Sequence, residues 1–264
     1  MAGILVLSDL HTEFGRHSLS YRDAVERDRP SAIVLPGDIG KGVDAVFWAA
    51  QAFPEWIPVA LIPGNHEYYG GDLEGTLAAM RDAAEDTPNV SVLDRDVLAI
   101  ETEQGRFRIL GATLWTDFRY NPAIAPEHAM RIAQMRMNDF RLITYAGRRF
   151  TAADSVALHE RDLAWLDQQL RLPFSGATIV ATHHAPSTVS AHPRYLGGDL
   201  NPAFGSNLDA FILEHQPEAW LHGHTHWSID ANLGFTRIVS RQLGYPGEGL
   251  PEIDLSPIEI PLHR

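Results

Sequence analysis

Short apolar runs alternate with amphipathic segments through the first third of the chain. The four runs predicted as strands are residues 4–7, 32–35, 59–62 and 90–93. The segments between them, predicted as helices, are about 20–29, 44–53 and 73–84. An alternation of strand and helix predicts parallel strands with helices packed on the sheet. We therefore expect an α/β protein.

The middle of the chain has a different pattern. Apolar runs at 97–100 and 107–110 flank a polar segment that contains glycine, which predicts an antiparallel hairpin. Residues 116–153 carry arginine, aromatic, methionine and proline residues without one clean period. We interpret this segment as an insertion or cap.

The last part of the chain returns to alternation and then closes. We predict a helix at 157–170, a strand at 178–181, a loop from 183 to about 205, a helix at 207–215 capped by Asn207, and a strand at 218–221. Three further runs, predicted as closing antiparallel strands, are 229–231, 236–240 and 258–261. No internal repeat or linker divides the chain, so we predict one domain over residues 1–264.

Charge and composition exclude several classes of protein. The formal net charge is −13, which disfavours binding to nucleic-acid polymers or anionic lipid. Cysteine is absent, so any metal must be held by nitrogen and oxygen ligands. No stretch approaches the roughly 18–20 apolar residues that a membrane helix needs, and the apolar N-terminus lacks the form of a signal peptide. We expect a cytoplasmic protein with no membrane partner.

Potential metal ligands cluster where five apolar strands end. The clusters are Asp9-Leu10-His11, Gly37-Asp38, Gly64-Asn65-His66-Glu67, His183-His184 and His222-Gly223-His224-Thr225-His226. Ligands bind outside the carboxyl ends of strands in open α/β sheets, so we expect the clusters to meet at one rim. Residues two apart on a strand point the same way, which pairs Asp9 with His11 and His224 with His226. This donor set predicts a pair of divalent ions, with manganese, iron, zinc or cobalt as the candidates.

The order of the clusters resembles the signature of the calcineurin-like metallophosphoesterase superfamily. All five of its blocks, D-x-H, G-D, G-N-H-(D/E), H and G-H-x-H, occur in order, and the resemblance spans about residues 4–240. It implies a four-layer αββα sandwich of two mixed β-sheets flanked by helices, with a dinuclear metal site at the C-terminal strand edges. By matched position, the resemblance implies one ion on Asp9, His11, Asp38 and His226. It implies a second ion on Asp38, Asn65, His183 and His224.

The resemblance also implies the roles of the residues around the metals. Asp38 would bridge the two ions, and a metal-bridging hydroxide would attack phosphorus. His66 would face the substrate, where it would stabilise the phosphoryl oxygens or protonate the leaving group, oriented by a nearby carboxylate. Asp38 and His66 are therefore the candidate catalytic residues.

Some assignments stay open at this level. The fourth block needs one histidine, and we favour His183 because it directly follows its strand, which leaves His184 as the alternative ligand or a substrate contact. His222 fits a buried histidine bonded to backbone better than an orienting role. In the loop that follows, His192, Arg194 and Tyr195 either contact substrate from a mobile lid or belong to a solvated surface.

The function that these residues favour is hydrolysis of a small phosphate ester. The motif blocks carry few cations besides the metals, which favours small phosphodiesters or broad action on mono- and diesters. The arginines of residues 116–153 could reverse this preference toward a phosphomonoesterase or protein phosphatase. A non-catalytic metal-bound scaffold is the least favoured reading, because every ligand position and His66 are retained.

Overall fold

Two mixed β-sheets form the centre of the molecule, whose computed structural model describes residues 1–15, 20–248, 250 and 252–262. The strands are β1 (Ala2–Val6), β2 (Ala32–Leu35), β3 (Val59–Leu61), β4 (Val90–Val92), β5 (Asp96–Thr102), β6 (Gly105–Ala112), β7 (Thr144–Tyr145), β8 (Arg148–Arg149), β9 (Ala177–Thr182), β10 (Ala219–Leu221), β11 (Ile229–Leu233), β12 (Thr236–Ser240) and β13 (Ile258–Ile260). The α-helices are α1 (Tyr21–Asp28), α2 (Val43–Ala52), α3 (Leu73–Glu85), α4 (Pro126–Arg136), α5 (Asp139–Leu142), α6 (Ala152–Arg171) and α7 (Asp209–His215).

The first sheet has the strand order β13-β1-β2-β3-β4. Strands β1 to β4 run parallel, as the alternation predicted, and β13 pairs antiparallel with β1 at the edge. The second sheet has the order β11-β12-β10-β9-β6-β5, and β7 and β8 form a separate hairpin.

The period-two pattern of the strands divides the core into three layers. In β1, Ile4 faces the other sheet and Leu5 faces the helices of the first sheet. In β9, Ile179 faces the first sheet and Val180 faces the outer helices. Apolar residues therefore bury both faces of each sheet, and the molecule is the expected sandwich of two mixed sheets between helices.

The prediction for β12 was wrong in one respect. This strand pairs antiparallel with β11 but parallel with β10. The chain leaves β10, runs out to the edge as β11, and returns through a hairpin into the position between them. Two reversals restore the original direction, so β12 lies parallel to β10.

The starts of two helices also differ from the prediction. α6 begins at Ala152 rather than 157, because Thr151 and Asp154 form a capping box. α7 begins at Asp209, and its cap position is Leu208, without a side-chain cap. Asn207 instead accepts a 3.4 Å bond from the backbone of Asp209.

Residues 116–153 fold as α4, α5 and the β7–β8 hairpin, and they pack on the helix-side core of the first sheet. Four of their aromatic and apolar side chains are buried there: Phe118, Phe140, Ile143 and Phe150. That the segment is a cap on a single domain stays a prediction. None of the helices in the described ranges is long and apolar enough to cross a membrane.

Candidate metal centre

The candidate ligands lie in tight turns just beyond the strand ends. Five of them have a left-handed backbone, with φ between 46° and 69°: Asp9, His11, Asp38, His224 and His226. This conformation costs a non-glycine residue about 1–2 kcal/mol, and such strain persists where a site requires it. The turns and not the strand pleat therefore direct these side chains. Asp9 and His11 still meet in one donor group, as their spacing predicted. The pairing of His224 with His226 was wrong, since the two rings belong to different groups.

The first group of donors joins both ends of the family signature. Asp9, His11 and His226 each offer one atom, and these atoms lie within 4.8 Å of one another. The Nε2 atoms of His11 and His226 are 3.1 Å apart, and Asp9 Oδ1 is 3.4 Å from His226 Nε2. A Cβ atom at position 223 would lie 2.7 Å from Asp9 Oδ2. The Asp9 carboxylate can therefore lie this close to the backbone only because residue 223 is glycine.

A carboxylate orients His226 from behind. The Nδ1 atom of His226 lies 2.7 Å from Glu248 Oε2, so the Nε2 atom of His226 faces the donor group. Burial would lower the pKa of His226, but the hydrogen bonds to Asp9 and Glu248 raise it to about 9. A cation at Nε2 would take the place of that stabilised proton.

The second group contains Asp38, His183 and His224. His183 Nδ1 donates to the carbonyl of Pro36 at 2.8 Å, and burial lowers the pKa of His183 to about 4. The ring is therefore neutral and its Nε2 carries a lone pair. That lone pair faces Asn65 Oδ1 at 2.9 Å, His224 Nδ1 at 3.1 Å and Asp38 Oδ1 at 3.4 Å.

This second group fits a cation and not a hydrogen-bond network. His183 Nε2 and two oxygens, from Asn65 and Asp38, are acceptor atoms, and both oxygens lie within 3.4 Å of that nitrogen. Burial also raises the pKa of the Asp38 carboxyl well above its usual range, although His66 opposes the shift. A buried carboxylate among lone pairs needs a positive charge, which a divalent ion would supply. Asp38 also belongs to a group with His11 and His66, and so lies between the two halves of the site.

The geometry separates the two adjacent histidines of the fourth block. His183 points its Nε2 into the donor group, as favoured from the sequence. His184 is buried, with Nδ1 3.4 Å from the carbonyl of Thr113, and its ring packs against Trp115 and His224. His222 is buried, with Nδ1 3.0 Å from the carbonyl of Gly223.

Glu67 holds two ligand loops together, a role that the sequence analysis did not assign. Its buried carboxylate accepts backbone N–H bonds from Asp38 at 2.9 Å, Ile39 at 2.8 Å, Gly40 at 3.3 Å and Gly64 at 2.7 Å. One side chain thus joins the turn that carries Asp38 to the turn that carries Asn65. Its place in the G-N-H-E block was the only sequence signal.

His66 is held between two residues that no motif indicated. Its Nδ1 donates to Glu13 Oε1 at 2.6 Å, and its Nε2 lies 2.9 Å from the hydroxyl of Tyr245. Burial would lower the pKa of His66, but the charges of Asp38 and Glu13 raise it to about 9. Glu13 is thus the carboxylate that contacts the His66 ring.

Comparison with known proteins adds the family. The sequence model for calcineurin-like phosphoesterases matches residues 2–228. The chain belongs to this family. An uncharacterized protein of Acanthamoeba polyphaga mimivirus is 25% identical over an alignment of 268 positions, which covers 92% of this chain and 91% of that protein.

Solved structures show the same fold as this calcineurin-like phosphoesterase. A phosphopantetheinyl hydrolase from Mycobacterium tuberculosis matches with a TM-score of 0.68 at 17% identity, covering 92% of this chain and 90% of that one. A dimetal phosphatase from Danio rerio matches with a TM-score of 0.50 at 18% identity, covering 91% and 87%. Membership implies metal-dependent hydrolysis of phosphoesters with a pair of divalent ions, and the two donor groups are where this phosphoesterase can hold them.

A cavity of about 290 Å³ opens over the donor groups of the phosphoesterase. Its walls include Asp38, Asn65, His66, His224 and His226 from the centre. The surrounding residues are Tyr69, Tyr120, Arg136, Met137, Asn138, Asp139, Ala191, His192, Tyr195, Asn201, Phe204, Thr225, Tyr245 and Glu248.

Besides His66, two of the candidate substrate contacts lie in the wall of the cavity and two do not. His192 and Tyr195 line it, whereas Arg194 and His184 are not among its lining residues. His184 is 1% exposed, so burial keeps it from a substrate. Arg194 lies over the ring of Tyr195, 5.7 Å from its centroid.

Proposed function

We propose that this chain hydrolyses small phosphodiesters, with broad action on small mono- and diesters as the second reading. One ion would bind Asp9, His11, Asp38 and His226, and the other Asp38, Asn65, His183 and His224. Two groups of nitrogen and oxygen donors support this assignment: Asp9, His11 and His226 converge in one, and Asp38, His183 and His224 in the other. Asn65 Oδ1 lies 2.9 Å from His183 Nε2 in the second group. The nitrogen and oxygen donors suit manganese, iron, zinc or cobalt.

The metals and the protein contribute different parts of the chemistry. Bound there, the two ions would polarise the phosphoryl group and provide a nucleophile from water at neutral pH. The protein excludes water from most of the centre, since Asp9 and Asp38 are at most 1% exposed. Charges act strongly in such a site, so the two carboxylates fix where positive charge accumulates and where the anionic ester binds.

His66 fits the role of proton donor to the leaving oxygen. Glu13 holds Nδ1 and thereby keeps Nε2 directed at the cavity. The raised pKa of His66, about 9 because Asp38 and Glu13 outweigh burial, leaves a proton on Nε2 at neutral pH. A positioned imidazolium can release that proton as the ester bond breaks.

The charge of the cavity wall supports the proposed preference of the enzyme for diesters over monoesters. Of the six arginines at issue in residues 116–153, which are Arg119, Arg131, Arg136, Arg141, Arg148 and Arg149, Arg136 alone lines the cavity. Arg148 instead pairs with Asp154, and Arg141 donates to Asn138 Oδ1. A monoester brings a second negative charge that one arginine balances poorly, whereas a diester brings one. The volume suits a small molecule rather than a polymer, in agreement with the charge of −13.

The decisive experiment compares p-nitrophenyl phosphate with bis(p-nitrophenyl) phosphate on protein stripped of metal and resupplied with Mn²⁺. Asp38→Asn is the blank, because Asp38 belongs to both ion positions and its loss removes the shared ligand. We expect metal-dependent turnover of the diester above the monoester, and none in Asp38→Asn.

Each other result has a definite meaning. Faster turnover of the monoester would replace the proposal with a phosphomonoesterase. Metal binding without turnover of either compound, or of a phosphopantetheinyl ester chosen from the name of the Mycobacterium tuberculosis neighbour, would favour the scaffold reading. Equal activity in Asp38→Asn would exclude the assigned centre.

A further inference from the structure

A buried carboxylate from residues 116–153 contacts the amide of Asn65. Asp139, which is 2% exposed, accepts a 2.9 Å hydrogen bond from Asn65 Nδ2 through its Oδ1 atom. The hydroxyl of Tyr69 donates to the same Oδ1 at 2.6 Å, and it accepts from Asn65 Nδ2 at 2.9 Å. The three side chains form a closed set of bonds behind the candidate metal ligand.

The backbone around Asp139 is fixed against the Asn65 turn. Asp139 is the first residue of α5, and the carbonyl of Leu142 at its end accepts from Gly70 N at 2.9 Å. Thr144 N donates to the carbonyl of Gly71 at 3.0 Å. Phe140 stacks on Phe150 in the core, with ring centroids 5.7 Å apart. The carboxylate is thus delivered by a packed element and not by a loose loop.

The contact determines which end of the amide faces the donor group. An asparagine side chain has an acceptor end and a donor end of nearly equal shape, so its neighbours set its rotation. Asp139 Oδ1 accepts, which draws Nδ2 toward it and turns Asn65 Oδ1 to 2.9 Å from His183 Nε2. The opposite rotation would set Oδ1 against the Asp139 oxygen, and it would offer an N–H, which cannot bind a cation, to the centre.

We propose that Asp139 is a positioning residue for the ion position of Asp38, Asn65, His183 and His224. It fixes the rotation of the Asn65 amide and so controls the affinity of one ion of the two. The inference rests on the proposed function, since it requires an ion at that position. Asp139 itself is absent from the described donor groups that lie within 4.8 Å of one another, so it acts through Asn65 and not as a ligand.

The test is a titration of metal-free protein with Mn²⁺, followed by calorimetry and by metal analysis after dialysis. In Asp139→Ala, we expect the affinity for one ion to fall by about 10–100-fold, the usual effect of losing a partner of a ligand, while the other ion binds as before. Asp139→Asn keeps an acceptor oxygen and should retain most of the affinity. Glu127→Ala removes an exposed carboxylate of α4 in the same segment and should bind both ions as the unaltered protein does.

A double-mutant cycle separates positioning from a general effect on folding. In an Asn65→Ala background, Asp139→Ala should cause no further loss of affinity, because its only route to the ion has been removed. Tyr69→Phe removes the two bonds of the hydroxyl but keeps the ring and the direct bond from Asn65 to Asp139, so it should weaken binding of the same ion to a smaller extent. This variant also serves if Asp139→Ala does not fold.

The outcomes distinguish this inference from the function on which it rests. Two ions bound at unaltered affinity in both Asp139→Ala and Tyr69→Phe would overturn the positioning role alone. Losses that add in the double variant would also overturn it, since Asp139 would then act independently of Asn65. Failure of the unaltered protein to bind two ions would overturn the proposed function first, and the inference with it.

Discussion

The hydroxyl of Tyr245 lies 2.9 Å from His66 Nε2, the nitrogen through which His66 faces the cavity. The Tyr245 ring packs on His11, with centroids 4.3 Å apart, and on His226 at 4.7 Å. Tyr245 therefore contacts both the candidate proton donor and two candidate ligands, from a position beyond the matched family region at 2–228. A phosphoryl or leaving oxygen that approaches His66 must also meet this hydroxyl.

Tyr245→Phe should lower kcat/KM by about 10–100-fold. The ring contacts stay, while one hydrogen-bond donor to a charged phosphoryl oxygen is lost, and such a bond contributes about 1.5–3 kcal/mol. The measurement is steady-state kinetics on bis(p-nitrophenyl) phosphate, with metal content determined for each protein. Tyr120→Phe is the matched control, because Tyr120 also lines the cavity but its hydroxyl donates to the carbonyl of Ser187. A rise in kcat/KM would instead mean that the hydroxyl competes with substrate for His66.

His66→Ala should keep both ions and lower kcat by about 10²–10⁴-fold, the usual contribution of a positioned acid or base. The ion positions stay intact because the two candidate ligand sets do not include His66. Metal analysis and kcat, measured on the same preparation, test both halves of the statement. His128→Ala, an alteration outside the cavity, is the control for a lost imidazole. Full activity in His66→Ala would end its assignment as the proton donor.

The sequence was informative where chemistry is concentrated in short blocks. Each ligand block follows an apolar strand, and the rule for carboxyl ends of strands was enough to expect them at one rim. The parallel order of β1 to β4 followed from the same alternation. His183, which the sequence favoured over His184, directs a ring nitrogen into the donor group, and its role as a metal ligand stays a prediction.

The rest depends on contacts between distant parts of the chain. Glu13 and Tyr245 meet at His66 although 232 residues separate them in the sequence, and neither belongs to a block with a known pattern. The bond between Asp139 and Asn65 depends on how residues 116–153 pack, and their pattern had no single period. The start of α6 was different, because Thr151-x-x-Asp154 is a readable capping signal that the prediction overlooked.

Glu67→Gln should lower the free energy of unfolding by about 2–4 kcal/mol and weaken the binding of both ions. The carboxylate accepts four backbone N–H bonds, and an amide would turn an NH₂ group toward donors that it cannot accept from. The two turns that carry Asp38 and Asn65 would then lose their common anchor. Urea unfolding of metal-free protein measures the first effect, and Mn²⁺ titration measures the second. Glu74→Gln, an exposed change on α3, controls for the lost charge. Unaltered stability in Glu67→Gln would contradict the role of Glu67 in joining the two turns.

Asp154→Asn should lower stability at pH 7 and have little effect at acidic pH. Asp154 accepts from Arg148 at 2.6 and 2.7 Å and from the backbone of Thr151 at 2.9 Å. The bond to Arg148 lowers the pKa of Asp154 below 3.8, burial opposes this shift, and the bonds to Thr151 add to it. The folded state therefore binds this proton less readily than the unfolded state does, so the stabilisation is present above about pH 4 and is lost as the pH falls through the folded-state pKa.

The size and the pH dependence of the Asp154 effect can be measured together. At pH 7 the Tm of Asp154→Asn should lie about 2–4 °C below that of the unaltered protein, the shift for about 1 kcal/mol in a chain of this size and the usual value of a helix cap. The difference in Tm between the two proteins should narrow steadily below about pH 4 as the carboxylate of the unaltered protein is protonated. Asp82→Asn, on the exposed face of α3, should have the same Tm as the unaltered protein at pH 7 and at pH 3.5. A Tm difference that is the same at pH 7 and at pH 3.5 would mean that the shape of the side chain, and not its charge, holds the start of α6.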